Sequence, residues 1–148
     1  MGDIMNDFNE LILTNNSLAL KEILNFNSIT IKKNLSLTTK DALQLIQTKN
    51  KTLKDLGRIE VGSGTINKLI YEFYDSSYIM DDYVNNLDTL ITIFYQYQNE
   101  FSNNLTDEQI IKYLRDNYDN YCAGSLELLE NDAFENLRQI INNGDYYE

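Results

Sequence analysis

The chain has 148 residues, 43% of them hydrophobic, which is enough for one domain with a buried core and argues against disorder. It has no His, Pro or Trp and a single Cys, so the commonest general base, the Ser-His and Cys-His nucleophile pairs and any internal disulfide are excluded. The net charge of −11 is unevenly placed: residues 1–75 carry nine basic and nine acidic side chains, residues 76–148 three against fourteen, and all eleven tyrosines lie at or beyond Tyr71.

No basic stretch followed by an apolar run heads the sequence. Met1-Gly2-Asp3 is followed by Asn6, where a myristoylation signal takes Ser or Thr. No apolar run approaches the roughly 20 residues of a membrane span. A cytoplasmic protein with no membrane partner is expected, and the sequons at Asn15, Asn34, Asn50 and Asn104 then read as chance. The 20 Asn and 16 Ile fit the codon bias of an AT-rich genome, which does not account for the one-sided tyrosines.

In chain order, Leu11, Leu18, Leu20, Ile23 and Leu24 predict one or two short helices before a break near Asn25–Asn27. Ser28–Leu37 alternates like a strand at Ile29 and Ile31, yet Lys32-Lys33-Asn34 reads equally as a helix end, so the segment is taken as irregular. Thr38 or Thr39 caps a helix with Asp41 in its first turn and Ala42, Leu45, Ile46, Leu53 and Leu56 on its inner stripe; Gly57 stops it. Lys49, Lys51 and Lys54 read as its solvated face. Arg58-Ile59-Glu60-Val61 is an extended candidate. A helix then starts near Thr65 with Ile66, Leu69, Ile70 and Phe73 inward, and Asp75-Ser76-Ser77 ends it.

Asp81 or Asp82 opens the next helix. Tyr83, Val84, Leu87, Leu90, Ile91, Phe94, Tyr95, Tyr97 and Phe101 cover an arc of roughly 200° of its wheel, so it is expected to sit centrally. Thr106 caps a helix that points Ile110, Ile111, Leu114 and Tyr118 inward. It is expected to hold Cys122 in its interior and to kink or end at Gly124. Leu126, Leu128 and Leu129 follow, and a last helix carries Phe134, Leu137, Ile140 and Ile141 to Asn143-Gly144. The whole predicts one all-α domain over 1–148, a bundle of about five to seven helices. Its main core spans 37–142, less defined N-terminal helices fill 1–36, 143–148 is a mobile tail, and at most a short extended segment lies near 58–61.

No catalytic constellation emerges, and no cofactor is expected. Gly62, Ser63, Gly64 and Thr65 before a helix, with Lys68 one turn in, could offer backbone amides to a phosphate or carboxylate. Position 67 is Asn where the dinucleotide fingerprint has its third glycine, and the Gly-Lys-Ser/Thr of a P-loop is absent. Asp116, Asn120 and Glu127 fall in the frame of a calcium loop, but Tyr121 stands where its turn needs Gly. Asp116 with Asp119, or Glu127 with Glu130, reads as solvated carboxylate on a helical face rather than a metal pair.

Gly57-Arg58-Ile59-Glu60, Gly62-Ser63-Gly64, Lys68-Leu69-Ile70, Phe73, Ser77-Tyr78-Ile79, Phe94-Tyr95, Asn99-Glu100 and Gly124-Ser125-Leu126-Glu127 resemble a small uncharacterised family, a domain of unknown function, of AT-rich Gram-positive anaerobes. The resemblance runs from about Leu37 to Ile141. It implies a compact, mainly helical cytosolic protein and transfers no catalytic residue.

The leading expectation is a noncatalytic protein-interaction or regulatory module. Its docking surface would draw on Tyr74, Tyr78, Asp81, Asp82, Asp116, Asp119, Glu127 and Glu130, and its partner would be a protein with a basic or polar surface. One alternative is an inhibitor that mimics nucleic acid. Another is a small anion- or phosphate-binding protein, or an enzyme, built on Gly62–Thr65. Direct nucleic-acid binding by the acidic half is not expected, since phosphates would be repelled. The oligomeric state is open.

Overall fold

The structure, a computed structural model, describes residues 17–144, which form helices, turns and irregular chain with no strand among them. Helix α1 covers 17–25; Leu11 of the expected first helix lies outside the described residues. Phe26 interrupts the chain before the single turn α2, Asn27–Thr30, and a 3-10 turn, Ile31–Lys33. The segment expected to be irregular is therefore helical in its first half. Ile31 is exposed and Ile29 half-buried, so their alternation marks no shared inner face. The return is built by side chains instead. Asn27 accepts from the Leu37 N–H at 2.8 Å and donates to the Leu37 carbonyl at 2.9 Å, which hydropathy spacing does not encode.

Helix α3, Thr39–Asp55, begins at a capping box: Thr38 and Asp41 each satisfy the other's backbone N–H. It ends in a Schellman turn. Gly57, at φ +75°, donates to the Lys54 carbonyl at 2.9 Å, and the Arg58 N–H donates to that of Leu53 at 2.8 Å. The remaining helices are α4, Thr65–Phe73; α5, Tyr83–Phe101; α6, Asp107–Asp119; α7, Leu126–Glu130; and α8, Asp132–Asn142. Thr106 and Gln109 make a second capping box at α6, as the sequence indicates at Thr106. The protein is an all-helical single-domain bundle, as expected.

Helix α5 is the centre. It packs most extensively on α3 and also touches α4, α6 and α7. Ile93 and Gln98 are buried along with most of the expected arc, and Val84 is half-buried. Being enclosed on several sides widens the buried surface beyond what one stripe predicts. Burial of Leu87, Leu90, Ile91 and Phe94 contributes roughly 6–12 kcal/mol as an upper bound. At its C-terminal end Tyr97 packs edge-on against Phe101 and Phe134, with centroids 5.8 and 5.1 Å away, and donates its hydroxyl to the Leu129 carbonyl at 2.6 Å.

Helix α6 stops at Asp119, earlier than expected, so Cys122 lies in a turn rather than a helix interior and is still buried. The Cys122 N–H donates to Asn117 at 2.8 Å and the Gly124 N–H to Tyr118 at 2.7 Å, which closes the turn. Burial pushes the Cys122 thiol up, with Asp132 adding to it. Gly124 sits at φ +84°, and a Cβ there would lie 2.8 Å from Cβ, Cγ and Cδ1 of Tyr78. Gly124→Ala is expected to cost about 1–3 kcal/mol, from backbone strain and displacement of the Tyr78 ring, read as a lower urea midpoint.

Candidate functional site

Helices α4 and α6 lie side by side and leave a groove of about 610 Å³ between them. Asn67, Lys68, Tyr71 and Glu72 face it from α4, and Glu108, Ile111, Lys112 and Asp116 from α6, and Phe26 also lines it. Both sets follow helical spacing, so each helix turns one stripe to the core and a second to the groove. The Tyr71 ring is 58% exposed and stands between Phe26, edge-on at 6.4 Å, and Tyr74, tilted at 6.3 Å. Phe26 and Tyr71 give the groove its aromatic surface, and Tyr74 backs Tyr71.

The charges of the groove differ in how they are engaged. Lys68 and Glu108 pair across it at 2.8 Å, both exposed, a contact of small energetic weight. The carboxylates of Glu72 and Asp116 hydrogen-bond no described residue. Burial raises the Glu72 pKa above the ordinary value; Asp75 and Asp116 add repulsion, and Arg115 and Lys112 offset part of it. Behind the groove Arg115 fastens the end of α4 to α6. Its guanidinium reaches Asp119 at 2.7 Å, Asp75 at 2.8 Å and the Glu72 carbonyl.

A second polar assembly lies under the α3–α4 connection. Lys49, read from the sequence as solvated, is 1% exposed, while Lys51 and Lys54 do face solvent. The Lys49 ammonium donates to the carbonyl of Glu60 at 2.9 Å and to that of Gly62. The Glu60 carboxylate accepts from Tyr95 at 3.0 Å, and Arg58 reaches Gln98 at 2.7 Å. Gln98 in turn donates to Asp107 at 2.9 Å. Burial lowers the Lys49 pKa, and the Glu60 charge opposes that.

A family model described as a family of unknown function (DUF6323) matches residues 22–146. The chain belongs to that family. The match begins inside α1 and continues past α8, farther in both directions than the 37–141 span whose motifs carry the resemblance. No curated protein and no solved structure matches the chain.

In this DUF6323 member the residues expected on one docking surface have different surroundings. Asp116 lines the groove, and Tyr74 packs against Tyr71 behind it. Asp119 is a brace, held by Arg115 and by the Ser76 hydroxyl at 2.6 Å. Tyr78 packs on Tyr118 at 6.2 Å and over Gly124. Asp81 and Asp82 are exposed in the turn before α5, where Asp82 accepts from Asn85 at 2.9 Å. Glu127 and Glu130 lie on α7; Glu130 lines a separate cavity with Gln96 and Phe134. Tyr71, Glu72 and Lys112 complete the groove and were not singled out from sequence. The usable signal is Tyr71 four residues after Asn67, on the face opposite Leu69 and Phe73.

The Gly62–Thr65 loop meets the Lys49 ammonium at the Gly62 carbonyl and acidic side chains beyond it. Ser63 donates to Glu22 at 2.7 Å and accepts from Asn67 at 2.9 Å. A Cβ on Gly64, which sits at φ +46°, would lie 2.6 Å from the Glu60 carboxylate. Lys68 points to Glu108. These contacts tie the loop to α1 through Glu22 and to α4 through Asn67. Among the described residues no helix is long and apolar enough to cross a membrane.

Proposed function

We propose that this chain is a noncatalytic protein-interaction module whose α4–α6 groove receives a partner segment carrying both apolar and basic side chains. The observation that carries this reading is the pairing of two groove aromatics, Phe26 and Tyr71, with two carboxylates, Glu72 and Asp116, that hydrogen-bond no described residue. An apolar anchor would cover Tyr71, and a Lys or Arg beside it would meet Glu72 and Asp116. The acidic C-terminal half would steer such a partner toward the groove. Affinity purification from native cells with the parent chain and with a Tyr71→Ala/Asp116→Arg variant tests it. A partner recovered only by the parent supports the groove. The same partner with both chains, or a parent chain recovered alone at low salt, overturns it.

Glu72 gives a second, quantitative test. Its folded pKa lies above the unfolded one, so the folded chain takes up this proton first as pH falls. The penalty on the fold is present at neutral pH, is relieved as pH falls through the raised value, and is gone below the ordinary one. Glu72→Gln is therefore expected to raise the thermal midpoint of the free protein at neutral pH while weakening binding of the basic partner. Loss of both stability and binding would contradict this account.

A further inference from the structure

The two most exposed large apolar side chains among the described residues sit on the α3–α4 connection, away from the groove. Ile59 is 94% exposed and Val61 67%. Their neighbours Arg58 and Glu60 turn inward, to Gln98 and Tyr95, so side chains over 58–61 alternate as in a strand. Lys49 takes the carbonyl of Glu60, and that of Gly62 in the bend beyond, which puts the Glu60 carbonyl on the helix-facing edge. In an extended run the backbone groups of alternate residues share an edge, so those of Ile59 and Val61 face the other way. They make no hydrogen bond to any described residue. Beside them an apolar cavity of about 290 Å³ opens between Leu53 and Ile59, with Lys54 on its rim. Lys51 is paired with Asp55 at 3.2 Å, whereas Lys54 has no ion pair among the described residues.

We propose that 58–61 is a docking edge to which an extended segment of a partner protein adds as a strand. One aliphatic side chain of that segment enters the cavity beside Leu53, and an adjacent carboxylate meets Lys54. The unpaired N–H and C=O groups supply the pairing, and the Ile59 and Val61 side chains supply apolar contact. The edge is held in place before binding by Lys49, Tyr95 and Gln98, so little ordering is left to oppose association. Charge selects the occupant. A second copy on the same edge would bring Lys54 up against its own counterpart, whereas an acidic segment complements it; Arg58 is already paired with Glu60 at 3.7 Å. This edge and the α4–α6 groove share no residue, so either can fail without the other.

The test is selection from a random-peptide library displayed against the full chain. Enrichment of aliphatic residues at alternate positions with Asp or Glu between them is expected. Selected peptides should slow amide exchange at Ile59 and Val61 by roughly tenfold or more, and should lose roughly tenfold or more in affinity for an Ile59→Asp/Val61→Asp variant. Both side chains stand in solvent, so circular dichroism should show that this variant keeps the fold. Lys54→Glu should switch selection toward Lys and Arg. Peptides that bind the double variant undiminished, or an unchanged charge preference with Lys54→Glu, would overturn the proposal. So would sedimentation showing a dimer of the parent chain that the double variant abolishes.

Discussion

Ile91→Asp is expected to leave the chain without a cooperative fold. Ile91 is 1% exposed on the helix that α3, α4, α6 and α7 enclose. The substitution forfeits about 1.5–3 kcal/mol of apolar burial and places an unpaired carboxylate where its desolvation costs several kcal/mol. Together these rival the roughly 5–15 kcal/mol by which a domain of this kind is stable. Far-UV circular dichroism and urea titration read the outcome. A sigmoidal transition within about 2 kcal/mol of the parent would show that α5 is not the organising helix. Thr89→Asp, on the exposed face of the same helix, serves as the control and should stay within about 0.5 kcal/mol.

Lys49→Ala is expected to cost about 2–5 kcal/mol. The variant loses three buried methylenes and strips the Glu60 and Gly62 carbonyls of their donor. The loss should be local in the first instance: trypsin should cut after Arg58 well before the helices open. The charge adds a pH signature. Burial holds the folded pKa of Lys49 below that of the unfolded chain, so the unfolded state keeps the proton longer as pH rises. This residue's contribution to stability therefore increases as pH climbs through the lowered value toward the ordinary one, and that increment should vanish in the variant. Equal pH dependence in both chains would mean that the ammonium is not desolvated.

Helix starts were the most legible feature, because Thr38 and Thr106 carry their own chemistry: a hydroxyl and a reciprocal side chain three residues on close each first turn. The central position of α5 was legible from the breadth of its apolar arc. The charge of Lys49 points to a solvated face, but its register points to the core. It stands three residues after Ile46 and four after Leu45, on the same inner stripe as Leu53. Cys122 was placed in a helix because apolar spacing continues through a turn that backbone bonds to Asn117 and Tyr118 close. The docking residues were the least legible. Abundance of Tyr and carboxylate along the chain does not tell which of them are engaged by neighbours, because neighbours in sequence at a helix end need not share a face in space. Asp116 and Asp119 show this: three residues apart on α6, one meets solvent in the groove and the other is bound by Arg115 and Ser76.

The lone thiol has a practical consequence. Cys122 is the chain's single sulfhydryl, sealed at the α6–α7 junction and kept protonated by its surroundings. A maleimide dye can attach only when that junction breathes, so the pace of labelling is a clock for its opening. The same clock, run with a bound partner, would report whether occupancy of a distant surface tightens the back of the molecule.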